Sequence, residues 1–184
     1  MLRTPGLTSL TDPGEARRVL VDDALRGVGI VQGFAGDIVD VGSGGGTPGI
    51  PLAVALPHRR VTLLESQRRK CEFLRTWQEE LPNLEVVWGR AEEQDVDRFG
   101  VAVAKALAPP PVATELCLPL VREGGAVVLW VGPSGDAARA ALTAERLAAR
   151  MVPSAAGFLV FRKTGPTPAG FPRRSGMAKK RPLA

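Results

Sequence analysis

The apolar positions change period along this chain, and the changes mark its elements. Residues Met1 to Leu10 carry little pattern. Asp12-Pro13-Gly14-Glu15 then offers an acid suited to an N-cap, a proline at the first helical position and a glutamate three residues after the cap. With Val19, Leu20 and Leu25 behind it, this predicts an N-terminal helix over about 12–27, packed on a sheet or lying over a ligand. From Asp37 onward, short apolar runs alternate with longer amphipathic stretches. Strands are predicted at 38–41, 60–65, 84–88, 101–104 and 126–131, with two short ones around Met151 and at 157–162. Helices are predicted at 49–56, 68–81, 111–121 and 137–150, and a turn or short helix at 91–95. The helix over 68–81 places Cys71, Leu74 and Trp77 on one face, and Gly124-Gly125 halts the helix over 111–121. Alternating strands and helices predict a mostly parallel sheet with helices on both faces. Ligands of such sheets bind beyond the C-terminal strand ends, where the strand order reverses.

The stretch Asp37-Ile-Val-Asp-Val-Gly-Ser-Gly-Gly-Gly-Thr-Pro-Gly-Ile-Pro-Leu52 reads as a strand, a glycine turn and a helix start. Glycines permit a sharp reversal and the close approach of a ligand to bare backbone. A helix start supplies unpaired N–H groups. A phosphate-binding P-loop is excluded, because no lysine lies between Asp37 and Arg59. A dinucleotide fingerprint fits formally at Gly44, Gly46 and Gly49, which keeps an NAD-dependent dehydrogenase as a distant alternative. The acid-x-Gly-x-Gly-x-Gly pattern at Asp40, Gly42, Gly44 and Gly46 resembles the first motif of class I S-adenosylmethionine-dependent methyltransferases. A carboxylate at Asp40 suits a ligand with a cationic amino-acid end and repels a pyrophosphate.

Other candidates fall at predicted strand ends. Glu65 can accept both ribose hydroxyls of an adenosine, or be an ordinary acid before a helix. Glu92, in Gly89-Arg-Ala-Glu-Glu93, can contact an adenine amino group or simply favour a helix N-terminus. Lys105 can hold a cofactor carboxylate or an RNA phosphate, or snorkel at the surface.

Composition changes the picture in three places. The length suits one domain with a substantial core. Neither a signal peptide nor a long apolar run is visible, which predicts a cytoplasmic protein that does not enter a membrane. One histidine, His58, and two cysteines, Cys71 and Cys117, make a zinc site improbable on ligand supply, and the cysteines read as free buried thiols. The net charge of +5 is unevenly placed: seven basic residues and no acid lie from Arg162 to the end, leaving 17 basic against 19 acidic elsewhere. The chain therefore reads as a near-neutral domain, 1–163, with a basic tail, 164–184. Arg173, Arg174, Lys179, Lys180 and Arg181, with Phe171 and spaced prolines, suit a segment that lies along an RNA backbone and becomes ordered on binding. The bland alternative is a solvated tail.

Together these stretches resemble the RsmG (GidB) family, the bacterial 16S ribosomal RNA guanine-N7 methyltransferases. The resemblance runs from Leu7-Thr-Ser-Leu-Thr-Asp-Pro13 through Asp40 to Leu52, where Thr47-Pro-Gly-Ile-Pro-Leu52 is most distinctive. It continues through Leu64-Glu-Ser66, Arg69-Lys-Cys-Glu-Phe-Leu74 and Gly89 to Glu93, and ends at Phe171-Pro-Arg-Arg and Lys180-Arg-Pro-Leu183. It implies a class I S-adenosylmethionine-dependent methyltransferase fold, Rossmann-like, with a seven-stranded, mostly parallel sheet. It also implies that Gly42, Thr47, Ala91, Glu92 and Lys105 contact S-adenosylmethionine. The partner implied is 16S rRNA or the small ribosomal subunit, the protein being a monomer. Lys105 stands where the family usually has arginine, Gly100 where it has an acid, and Val131 where it has a lysine. Guanine N7 has a free lone pair, so transfer to it needs positioning more than a base, and no catalytic side chain beyond Lys105 is expected. The alternatives are a methyltransferase of another acceptor and a non-catalytic RNA-binding relative.

Overall fold

A computed structural model describes residues 7–133 and 135–184. Most of the weakly patterned start, Met1 to Gly6, lies outside the described residues, as does Ser134. The chain opens with a nearly continuous helical run: Pro13–Ala16 (α1), a π-helical stretch Arg17–Asp22, and Asp23–Leu25 (α2). As the spacing predicts, the Asp12 carboxylate caps it, accepting from the Glu15 N–H at 2.7 Å, with Pro13 in the first turn. A short helix that the pattern does not predict, Val28–Gln32 (α3), follows. Then come Ile38–Val41 (β1), Gly49–Ala55 (α4), Val61–Glu65 (β2), Arg68–Arg75 (α5), Leu84–Trp88 (β3) and a 3-10 turn, Ala91–Glu93. Phe99–Lys105 (β4), Pro110–Cys117 (α6), a 3-10 turn Leu118–Leu120, and Val121–Trp130 (β5) continue the alternation. Ala137–Glu145 (α7), Ala149–Val152 (β6), Phe158–Lys163 (β7) and Met177–Lys180 (α8) complete it.

The seven strands form one sheet in the order β3-β2-β1-β4-β5-β7-β6. All pairs are parallel except those made by β7 with β5 and β6. The order reverses between β1 and β4, which places a crevice beyond their C-terminal ends. Side chains alternate across the sheet. Val39, Val41, Ala102, Val127 and Leu129 pack with α6 and α7, whereas Ile38, Leu63, Val101 and Val128 pack with α3, α4 and α5. Both faces are buried, and each fully buried Val or Leu contributes about 1.5–3 kcal/mol.

The differences from the predicted elements have local causes. The helix after Gln67 ends at Arg75 and passes into turns, though Trp77 still packs on the core. Val121 and Gly124-Gly125 are strand, not the end of α6. The β4–β5 register shifts between Phe99 and Val101, because the Gly100 and Gly125 backbones lie too close for side chains. A Cβ on Gly100 would overlap the Ala35 carbonyl, so the acid usual to the family has no room here.

The C-terminal segment is the largest departure. Residues 164–184 are folded onto the domain rather than left as a solvated tail. Lys163, 1% exposed, donates to the carbonyls of Leu118 and Val121, to Asp97 and to Thr167, which fixes where the segment leaves β7. Phe171 and Leu183 pack against the α6–α7 core layer. Among the described residues no helix is long and apolar enough to cross a membrane.

Candidate functional site

The site begins where β1 stops. Gly42 and Ser43 both donate backbone N–H groups to the Leu64 carbonyl, at 2.8 and 3.2 Å, locking the turn to the end of β2. Gly42, Gly44 and Gly46 all take positive φ. A Cβ on Gly42 would strike Leu107, and one on Gly46 would strike Ile50 and Leu74. Gly44 differs: with φ +57, its Cβ would meet nothing closer than the Gly42 carbonyl at 3.8 Å, so only its backbone conformation asks for glycine.

Asp40 is fully buried behind this loop. Its Oδ2 accepts from the Gly49 N–H at 2.9 Å, tying the strand to the start of α4, and its Oδ1 has no protein partner. Burial pushes the carboxyl up to about 7, against the hydrogen bond from Gly49 and with help from nearby Glu65, while the Ser43 hydroxyl donates to the Asp40 main-chain carbonyl at 2.8 Å. The sequence suggests a carboxylate facing the ligand; the fold sets it behind the glycines, where it braces them.

Two adjoining cavities open beyond the strand ends. The larger, 610 Å³, is lined by Gly42, Gly44, Thr47, Glu65 and Lys105 among others, and the smaller, 330 Å³, by Ala91 and Glu92 with apolar walls from Val41, Leu64, Leu107 and Val112. Gly42, Ser66 and Leu107 line both, so the candidates at separate strand ends converge on one crevice. Asp40 and Gly46 support it from behind without lining either part. Glu65 is 5% exposed; one carboxylate oxygen accepts from Gly44 N–H and the other from Gln67 N–H, both at 2.8 Å. Ser66 Oγ also donates to Oε1 at 3.4 Å, so Oε2 is the oxygen that keeps lone-pair capacity for a further donor.

Lys105 is not free to take an anion alone. Its ammonium lies 2.6 Å from Asp23 and donates to the Val19 carbonyl, joining the end of β4 to the N-terminal helical run. Burial would raise the Asp23 carboxyl, but hydrogen bonds and charge from Lys105 and Arg26 hold it below its ordinary range. Lys105 thus latches the helix over the larger cavity, which Val19 and Leu20 help line. Sequence reasoning missed Asp23, because nothing in the pattern shows that it faces Lys105.

The basic residues of the C-terminal segment divide. Arg174, Lys179, Lys180 and Arg181 are exposed, and Lys179 and Lys180 line the smaller cavity. Arg173, read from sequence as an RNA contact, turns inward: its Nε and Nη2 each lie 2.6 Å from a carboxylate oxygen of buried Glu115. A bidentate pair in a desolvated place outcompetes exposure to solvent, and it withdraws Arg173 from a phosphate. The Gly176 N–H donates to Glu92 Oε1 at 2.9 Å, a contact with no signal in the sequence.

A family model described as GidB, rRNA small subunit methyltransferase G, matches residues 3–156. The Ribosomal RNA small subunit methyltransferase G of Synechococcus elongatus is 37% identical over 96% of this chain and 82% of its own. That of Symbiobacterium thermophilum is 35% identical over the same shares. Among solved structures, the 1,6-didemethyltoxoflavin-N1-methyltransferase of Burkholderia thailandensis, with S-adenosylhomocysteine bound, shares the fold at a TM-score of 0.62. It is 17% identical, with 82% of each chain covered.

Proposed function

The chain belongs to the GidB family, rRNA small subunit methyltransferase G, and from that premise we propose that it transfers the methyl group of S-adenosylmethionine to N7 of a guanine in 16S rRNA. The observation that carries this reading is the paired cavity at the point where strand order reverses, walled by the glycine loop and Glu65.

The residues present fit such a cofactor. The smaller cavity has apolar walls for a flat ring and a carboxylate, Glu92, at its edge for an amino group. Glu65 retains acceptor capacity at Oε2 for a ribose hydroxyl. The glycine loop lets the ligand approach backbone at Gly42 and Gly44. When bound, the cofactor supplies an already activated methyl group on a sulfonium. Guanine N7 has its own lone pair and would lose no proton on methylation, so the protein's work is alignment and exclusion of water. A third cavity of 320 Å³ at the ends of β4 and β5 shares Ala106 and Leu107 with the larger one and suits the incoming base. The exposed Arg174, Lys179, Lys180 and Arg181 suit the RNA backbone.

The test is transfer of labelled methyl from S-adenosylmethionine to small ribosomal subunits and to naked 16S rRNA. Both should come from a strain lacking its own guanine-N7 enzyme of this family. Label mapped to one guanine N7 is the expected result. No label on either substrate, with cofactor binding intact, would refute the acceptor.

A further inference from the structure

Within the C-terminal segment, residues 173–181 make a cluster of contacts beside the smaller cavity, which Gly176, Ala178, Lys179 and Lys180 help line. Arg173 pairs with Glu115 of α6, and its Nη2 also donates to the Arg181 carbonyl at 2.8 Å. One guanidinium therefore fastens both ends of residues 173–181 and anchors them to a side chain only 4% exposed. Between those ends, the Gly176 N–H holds Glu92 Oε1, and Ser175 Oγ donates to Glu93 Oε1 at 3.1 Å. Gly176 reaches this position with φ +81, and Ala178 just beyond it is buried against the same cavity. The other oxygen of Glu92 lies 3.9 Å from Arg90 Nε, so a carboxylate released by Gly176 has a cation to swing toward. Its orientation inside the cavity thus depends on a backbone amide supplied from the far end of the chain.

We propose that residues 173–181 are a built part of the cofactor site, with Glu115 and Arg173 as positioning residues that hold the Gly176 amide against Glu92 and so set the preference for a 6-aminopurine. The inference rests on the reading that the smaller cavity takes the adenine. A carboxylate fixed in the plane of an exocyclic amino group accepts its hydrogen; the same carboxylate facing a 6-oxo group meets a lone pair, so the oxo analogue is rejected. Loosening the clamp removes the discrimination, and not only general affinity.

Titration calorimetry of the full chain with S-adenosylhomocysteine and with S-inosylhomocysteine, its 6-oxo analogue, tests this. Wild-type protein should prefer the amino compound by at least about tenfold, the worth of one charge-assisted contact. Arg173→Ala should reduce that preference to within about twofold, and Arg173→Lys should restore part of it. A merely structural clamp would lower the melting temperature and leave the ratio unchanged, and an unchanged ratio in Arg173→Ala overturns the proposal. If the lone buried Glu115 charge prevents folding, the double variant Glu115→Gln with Arg173→Ala removes it, and the same two outcomes apply. Wild-type protein that binds the amino compound without preference overturns this inference alone. Wild-type protein that binds neither compound overturns the cofactor reading as well.

Discussion

At the scale of single residues, Gly42, Gly44, Gly46 and Gly49 are not equivalent. A Cβ on Gly49 would lie 2.7 Å from Asp40 Oδ2 and overlap Leu63, inside the layer between β1 and α4. Gly49→Ala should therefore cost about 2 kcal/mol of stability through overpacking. Gly44→Ala meets no such wall and should cost about 1 kcal/mol for its left-handed backbone, while weakening S-adenosylhomocysteine binding because Gly44 lines the larger cavity. Thermal melts beside calorimetric titration separate the two; equal melting losses with unchanged ligand affinity in Gly44→Ala would contradict this placement. Asp40 carries a pH signature. Its folded-state pKa, about 7, lies above its ordinary 3.8, so the folded form holds a proton that the unfolded form releases. Its contribution to stability is therefore complete below pH 3.8 and is lost as pH rises through 7. Asp40→Asn should remove this dependence. Melting temperatures from pH 4 to 8 should fall less steeply with rising pH in the variant than in wild type, and parallel curves would show that Asp40 titrates normally.

Among the elements, the N-terminal helical run shows how one docking decides a site. Its start is local chemistry, the Asp12 cap with Pro13. Its placement is not. Lys105 reaches Asp23 and the Val19 carbonyl, Trp130 Nε1 donates to the Asp23 carbonyl at 3.0 Å, and Arg26 lies over the Phe158 ring at 5.3 Å. Gly27 lets the run press on Trp130, where any Cβ would collide. Val19 lies within the π-helical stretch Arg17–Asp22 and Asp23 directly follows it, a geometry common at functional sites. Removing the ammonium in Lys105→Met should weaken the docking by about 2 kcal/mol. Amides of residues 14–25 should then exchange hydrogen more than about tenfold faster, with β1 and β4 unchanged. Unaltered exchange would mean that Trp130 and Arg26 suffice. The strands were legible because buried parallel strands read as short β-branched runs; the extent of helices 68–81 and 111–121 was not, since an apolar stretch does not announce where a turn replaces a helix.

For the molecule as a whole, charge and fold divide the C-terminal segment between two tasks. Its inward groups, Arg173, Gly176, Phe171 and Leu183, hold it on the domain, and its outward groups, Arg174, Lys179, Lys180 and Arg181, carry positive charge on the surface, with Lys179 and Lys180 beside the crevice. Replacing those four by glutamine should leave the fold intact and lower RNA affinity. The slope of log affinity against log salt should flatten by up to about 3, at about 0.7 per single-stranded phosphate contact. An unchanged slope in filter binding to 16S rRNA would assign the RNA surface elsewhere. Arg173→Gln should change that slope little, because its charge is already paired.

Local sequence was enough for the strand–turn–helix unit around Asp40, the alternation that makes the sheet, the cap at Asp12 and the glycine positions of the loop. Each of these depends on neighbours close in the chain: periodicity, turn conformation and helix-start chemistry act over a few residues. Long-range packing sets Asp40 behind the loop, pairs Lys105 with Asp23, turns Arg173 inward, and brings Gly176 to Glu92. Those partners are 82, 58 and 84 positions apart for the last three contacts. A charged side chain chooses among distant partners by desolvation and geometry, and neither quantity exists until the sheet and its two helical layers have assembled.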